Sequence, residues 1–401
     1  MVSAPTGALK STAAKVAVVV AVVAVGGVAA AQMGMLDGVV GSDSSGTLDQ
    51  VPDGVDSVAT FDASVFEDDV TNRLYVAAYN ETLDVYDADG ASAEDGGRDA
   101  DEGERERTRE STPSEMLPAN VTAALDRAEN ESGLDPRAVD EVAVFQQRRE
   151  NLTEPRYAGA IVHADWSESA FVGAITNNTG RSYENTTVEG VTVYKPADSG
   201  EGEDDERFGP PQPEEWIAVL DDGEYAVGTA RAVNDTIQVA VGNAEPVDGD
   251  LRSAYERTRD GYFRYAQRSQ NVNVTRVNET VGSTTGLNVT AYARAYNDLY
   301  VTSGSYYLTD DGLGVESHTL TNSTDTARDV EDLTQGFLSI QAGAIQNETI
   351  ENELRSTEVT RDGTTVTVTR ETSVDVAIKL IRWYGSILED ERSGAGAQPI
   401  A

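Results

Sequence analysis

Two rhythms of apolar and polar positions alternate along this chain. Short apolar or alternating runs predict strands at Val55–Asp62, Ala138–Phe145, Tyr157–His163, Thr187–Tyr194, Trp216–Leu220, Glu224–Gly228, Tyr300–Leu308, Gly314–Leu320 and Thr364–Thr369. Longer segments with apolar residues three and four apart predict helices. The first is Phe66–Tyr79, with Phe66, Val70, Leu74 and Ala77 on one face. Further helices are expected over Ser114–Asn130, Ser167–Asn177, Ala230–Gly242, Thr326–Ile345 and Val374–Asp390. Three Asp-Gly steps, at Asp222-Gly223, Asp311-Gly312 and Asp362-Gly363, mark hairpin turns. The pattern is that of an α+β fold: antiparallel sheets with helices packed on one face, in two related βαββα-like halves.

One segment belongs to neither rhythm. Val16–Leu36 carries no charge, and at 1.5 Å per residue it extends about 31 Å, enough for a hydrocarbon core of about 30 Å. Lys10 and Lys15 precede it and Asp37 follows, which places the amino terminus inside and the rest outside. The same residues also read as a cleavable signal peptide, with Ala29-Ala30-Ala31 offering a cleavage site before Gln32. Both readings export the body; the first keeps it on the membrane through residues 16–36 and the second secretes it.

The remainder divides by composition. Residues 1–36 form the signal or anchor segment and 37–50 a Gly/Ser/Asp linker. A first α+β region covers 51–260, with acidic insertions near 87–112 and 198–214 expected to be disordered; a second covers 261–390, and 391–401 form a tail. In the final helix, Asp375, Lys379, Arg382, Ser386, Glu389 and Asp390 fall within an arc of about 100°, so the rest of its surface is expected to be buried.

Charge alters the picture most. Seventy acidic residues against thirty basic ones give a net charge of −40. Lys stands only at positions 10, 15, 195 and 379. Self-repulsion at this density is relieved when molar salt shortens the Debye length to about 3 Å, so the composition points to a salt-loving source. The same charge excludes nucleic acid as a partner, because no basic stripe exists to replace counterions. The chain has no cysteine, which removes disulfides, thiolate metal sites and thiol nucleophiles.

Twelve asparagines stand in the acceptor pattern for N-linked glycans: Asn80, Asn120, Asn130, Asn151, Asn177, Asn185, Asn234, Asn273, Asn278, Asn288, Asn322 and Asn347. Eleven of the twelve have Thr at the third position. Such glycans are added on the far side of a membrane, in agreement with the hydrophobic segment. Each modified asparagine must face solvent, a constraint that falls hardest on Asn185, Asn234 and Asn288, which border or lie within regular elements. Catalytic chemistry is scarcer. His163 ends a strand beside Asp165 and Trp166, and His318 sits at an alternating hairpin position expected to face solvent. Gly304-Ser305 lacks the second glycine of a nucleophile elbow, and no phosphate loop occurs. Asp84, Asp87, Asp89 and Glu94 miss the EF-hand spacing. No cofactor or metal site is expected. The tyrosines at 292, 296, 300, 306 and 307 read as a covered sheet face.

Several strings resemble an uncharacterised family of exported, membrane-anchored haloarchaeal proteins. They are Val51-Pro52-Asp53-Gly54-Val55, Gly133-Leu134-Asp135-Pro136-Arg137, Leu220-Asp221-Asp222-Gly223-Glu224-Tyr225 with Ala232-Val233, and Arg361-Asp362-Gly363-Thr364-Thr365-Val366. The resemblance implies architecture and location, and it carries over no site residue. The reading is therefore an exported, glycosylated, non-enzymatic surface module of a cell, virus or vesicle, whose partners would be other surface proteins or glycans. An extracytoplasmic ligand-binding module is the alternative, and an exported hydrolase the third possibility.

Overall fold

The computed structural model describes residues 45–91, 118–148, 157–197, 215–269, 297–344 and 347–380. The hydrophobic segment, most of the first acidic insertion, all of the second, the expected final helix beyond residue 380, the tail, and Asn151, Asn273, Asn278, Asn288, Tyr292 and Tyr296 lie outside these residues. Among the described residues no helix is long and apolar enough to cross a membrane.

The fold is α+β, built on one antiparallel sheet. After a single helical turn, α1 (Ser45–Leu48), come β1 (Ser57–Asp62), α2 (Asp69–Ala91), α3 (Val121–Ser132), β2 (Val139–Gln147), β3 (Tyr157–Ala164) and α4 (Glu168–Thr179). Four strands follow, β4 (Tyr183–Val188), β5 (Val191–Pro196), β6 (Trp216–Asp221) and β7 (Glu224–Gly228), then α5 (Ala230–Ala240), α6 (Gly249–Arg257) and β8 (Phe263–Arg268). The last part holds β9 (Leu299–Thr309), β10 (Gly312–Thr321), α7 (Thr324–Ala344), α8 (Glu348–Arg355), β11 (Glu358–Asp362) and β12 (Thr365–Ser373), with residues 374–380 helical. The twelve strands lie in the order β11-β12-β10-β9-β8-β1-β2-β3-β7-β6-β5-β4.

Because successive strand residues point to opposite faces, this sheet needs two covers. On one face Val58, Ala143, Phe145, Ile161, Ala266 and Val301 pack with Leu48 of α1, Ala232 of α5 and Leu251, Ala254 and Tyr255 of α6. On the other, Phe61, Val142, Val162, Ile217, Tyr225 and Val227 pack with Leu125 of α3 and with Phe171 and Ile175 of α4. The expectation of helices on one face is thus corrected. Alternation within β1, β2, β3 and β7 is apolar on both sides, which a sheet with one wet face would not show. Ordered structure also begins before residue 50: Thr47 and Leu48 are buried, so the linker ends earlier than composition implied. In the same way, the first acidic insertion starts later, since α2 runs through Ala91.

Thr187–Tyr194, expected as one strand, is a hairpin. Val188 pairs with Val191 across Glu189 and Gly190, at φ 51° and 90°. Thr and Val alternate on both sides of that turn, so the sequence reads as continuous. Strand β8 was hidden for another reason. Beside the small Ala266 it buries Arg264, only 6% exposed, whose guanidinium stacks 4.4 Å from the Tyr255 ring and donates to Thr258 Oγ1 and to the carbonyls of Tyr255 and Thr258. A buried charge satisfied in this way looks like a solvated one in sequence.

Local chemistry fixes the helix ends. Asn120 caps α3 by accepting from the Ala123 amide at 2.8 Å, Ser167 caps α4, and Gly133 ends α3 at φ 78°, where a side chain would be strained. Between β3 and β2, Gly159 leaves room for the Phe145 ring, and an added Cβ would stand 2.5 Å from its Cζ. Gly159→Ala is therefore expected to lower stability by about 1–3 kcal/mol through overpacking. Gly173→Ala, on an open face of α4, is expected to be neutral or stabilising. Denaturant unfolding in molar salt compares the two.

Candidate functional site

The densest polar cluster lies on the face of β9, β10 and β12 beside α6. Strand register builds it: Ser303 and Ser305 of β9 stand opposite His318 and Glu316 of β10, and these stand opposite Thr367 and Thr369 of β12. His318 Nε2 lies 2.8 Å from Glu316 Oε1, and Nδ1 lies 3.0 Å from Thr367 Oγ1. The segment after α6 closes over them. Arg259 donates its backbone amide to Glu316 Oε1 and its Nη1 to Glu371 Oε1, at 3.0 and 3.2 Å, and its guanidinium stacks 3.9 Å from the Tyr307 ring centre. Tyr307 in turn donates to Glu371 Oε1 at 3.1 Å and lies against Gly314, where a side chain would collide with the ring. Arg257 Nη1 donates to Thr365 Oγ1 at 2.9 Å.

This corrects the placement of His318, which is 8% exposed and does not face solvent. Alternation assigned it a face correctly, but the loop carrying Arg259 covers that face. The register also brings together serine, histidine and carboxylate, which spacing along the chain had not suggested. As folded, the arrangement does not form a nucleophile–base pair. Both ring nitrogens of His318 are engaged by Glu316 and Thr367, and the Ser303 and Ser305 hydroxyls are fully buried without a hydrogen-bond partner among the described residues. A substrate carbonyl has no route to either hydroxyl. What the cluster does is fasten the α6–β8 connection onto β10 and β12.

His163 stands in a second polar group on the same face, opposite Glu141 of β2 and Glu224 of β7. Thr47 donates to the Glu141 carboxylate, tying α1 to the sheet. The neighbour expected from sequence, Asp165, is exposed, and its backbone amide donates to the Ala138 carbonyl. No group of three or more metal-ligating side chains occurs among the described residues. Of the tyrosine row, Tyr300 is exposed and bonded to Asp250, while Tyr307 is buried.

The acceptor asparagines fall into distinct classes. Asn80, Asn120, Asn130, Asn177, Asn185 and Asn322 are exposed. Asn120 and Asn347 cap helices through Oδ1, Asn347 accepting from Thr349 and Ile350 at 3.1 and 3.3 Å, which leaves Nδ2 unbonded among the described residues. Asn234 departs from expectation. It is half-buried in α5 and donates Nδ2 to the Ala230 carbonyl at 2.8 Å, while Thr236, the third residue of its pattern, is fully buried and bonded to the Ala232 carbonyl. Asn185 is exposed, whereas Asn234 is only partly so and has its Nδ2 engaged.

Burial, and after it the bond to Glu371, raise the Tyr307 pKa above 10.0, and burial raises Tyr157, Tyr225 and Tyr306 likewise. A phenol whose folded pKa exceeds its unfolded value stabilises fully below pH 10 and loses that contribution as pH rises towards the folded value. Stability is therefore expected to be level around neutral pH and to fall above about pH 10, with a shallower fall in Tyr307→Phe. Tyrosinate absorbance followed together with circular dichroism measures it. Arg259→Ala is expected to cost about 1 kcal/mol in the unfolding midpoint at neutral pH, from the lost ring contact and carboxylate bond.

No protein-family model matches the chain, and no curated protein does. Among solved structures, crystal form III of TP0453 aligns with a TM-score of 0.38 at 10% identity, covering 84% of this chain and 97% of that one. Crystal form I aligns at 0.37 and 9%, covering 84% and 96%, and crystal form IV at 0.37 and 11%, covering 89% and 100%. Scores of this size carry no argument about activity.

Proposed function

We propose that this chain is an exported, N-glycosylated surface module of a halophile, held to the membrane through residues 16–36 or released by cleavage before Gln32, and that it works by presenting a rigid body to other surface molecules. The observation that carries the reading is the placement of the acceptor asparagines. Six of the eight within the described residues are exposed, and a seventh, Asn347, uses only its oxygen within the fold. A net charge of −40 in a chain with no cysteine supports a body held by its core and by salt.

Two related halves form part of the same proposal. The orders β1-β2-β3-β7-β6 and β8-β9-β10-β12-β11 run outward from the central pair, and α4 follows β3 as α7 follows β10. Each half places one histidine, His163 or His318, on its third strand and on the same sheet face.

Glycopeptide mass spectrometry of the chain isolated from a salt-loving host is the test. Modification is expected at Asn80, Asn120, Asn177, Asn185 and Asn322, with Asn234 modified least. A chain without sugar at any acceptor would remove the main support for export. The same spectra read the amino terminus: a chain starting at Gln32 identifies the secreted form.

A further inference from the structure

Helix α7 carries a surface left open by the described residues. Ala327 and Ala342 are fully buried, and Arg361 of β11 donates to Glu331 at 2.9 Å. The opposite side exposes Phe337 by 54% and Ile340 by 67%, and both lie on a ridge with Leu333, Gly336 and Gly343. Gly336 and Gly343 are poor helix formers placed mid-helix, and an added Cβ at either would meet nothing within 4 Å. Among the described residues no packing contact requires either glycine. Both leave notches beside projecting apolar side chains.

Charge narrows what can cover this ridge. From Leu333 to Asn347 fifteen consecutive residues are uncharged, the longest such run after Asp37 in a chain of net charge −40. A basic partner would be drawn to the acidic surface elsewhere and gain nothing here. Another body of the same high negative charge can approach closely only through an uncharged face, and this one holds both projections and notches, so under a two-fold axis it complements itself. The acceptor asparagines Asn322 and Asn347 stand just outside the two ends of α7 and leave its length free of sugar.

We propose that α7 is a contact between two copies of this chain, packed antiparallel about a two-fold axis, with Phe337 and Ile340 of each copy seated over Gly336 and Gly343 of the other. The antiparallel sense directs the acidic first half of each helix, with Asp325, Asp329 and Asp332, to opposite ends. One helix face is smaller than the roughly 800 Å² per partner of a stable complex. The contact is therefore weak in dilute buffer and strengthens in molar salt, where the repulsion between the bodies is screened.

The absence of native cysteine makes the test specific. Ile340→Cys in the full-length chain, treated with a short bismaleimide, is expected to give a species of twice the chain mass, with yield rising at least tenfold from low to molar salt. Ser169→Cys, exposed on α4, is expected to give none. Adding Gly336→Leu and Gly343→Leu to Ile340→Cys fills the notches while favouring the helix, and is expected to abolish the doubled species with the circular dichroism spectrum retained. The proposal is overturned if Ile340→Cys yields no doubled species, if Ser169→Cys yields as much, if the filled notches change nothing, or if the new cysteine couples to a different protein.

Discussion

The fold depends on burying both faces of its central strand. Five of the six residues of β1 are buried, and β1 pairs with β2 on one side and β8 on the other. Val58 serves the core beneath α1 and α6, while Phe61 serves the core beneath α3 and α4. Thr60, fully buried between them, shares a hydrogen bond with the Tyr255 hydroxyl, and the Tyr255 ring carries the Arg264 guanidinium. Among the described strands, the β1–β8 ladder is the pairing that joins the seven strands on one side to the four beyond β8 on the other. In a chain with no cysteine and a net charge of −40, these packed and hydrogen-bonded contacts, with no covalent link, must resist the repulsion between acidic surfaces.

That requirement explains where polar chemistry is spent. The Arg259–Tyr307–Glu371 and His318–Glu316 contacts lock a connection onto the sheet, and Glu141 with Thr47 ties down the first helical turn. His318 and Glu316, which in another setting could perform acid–base work, are here bonded to each other. Among the described residues the most exposed large apolar side chains, Phe337 and Ile340, stand on the uncharged second half of α7.

Much of the architecture was legible in the sequence. Strands such as Tyr157–Ala164 and helices such as Glu168–Thr179 follow their periodicity because the same alternation that buries a face writes the pattern. Among the elements that escaped, α6 and α8 are short helices of nine and eight residues with few apolar positions, and two others have polar burial or an unmarked turn. Strand β8 buries an arginine, and the β4–β5 turn places Glu189 at positive φ within an unbroken Thr/Val alternation. Face assignment failed for a related reason. Alternation reports which residues share a face but not what covers it, so His318 was placed on the correct face and wrongly exposed. The acceptor pattern at Asn234 was equally blind to the burial of Thr236 within α5.

Hydrogen exchange in molar salt, followed peptide by peptide, tests the central claim most directly. The amides of β1 and their ladder partners in β2 and β8 are expected to exchange slowest of the whole chain, at one common rate set by global unfolding, while the edge strands β4 and β11 exchange orders of magnitude faster. Exchange of β1 as fast as that of the edge strands, or protection of the strands on the two sides of β1–β8 at widely different rates, would contradict the account.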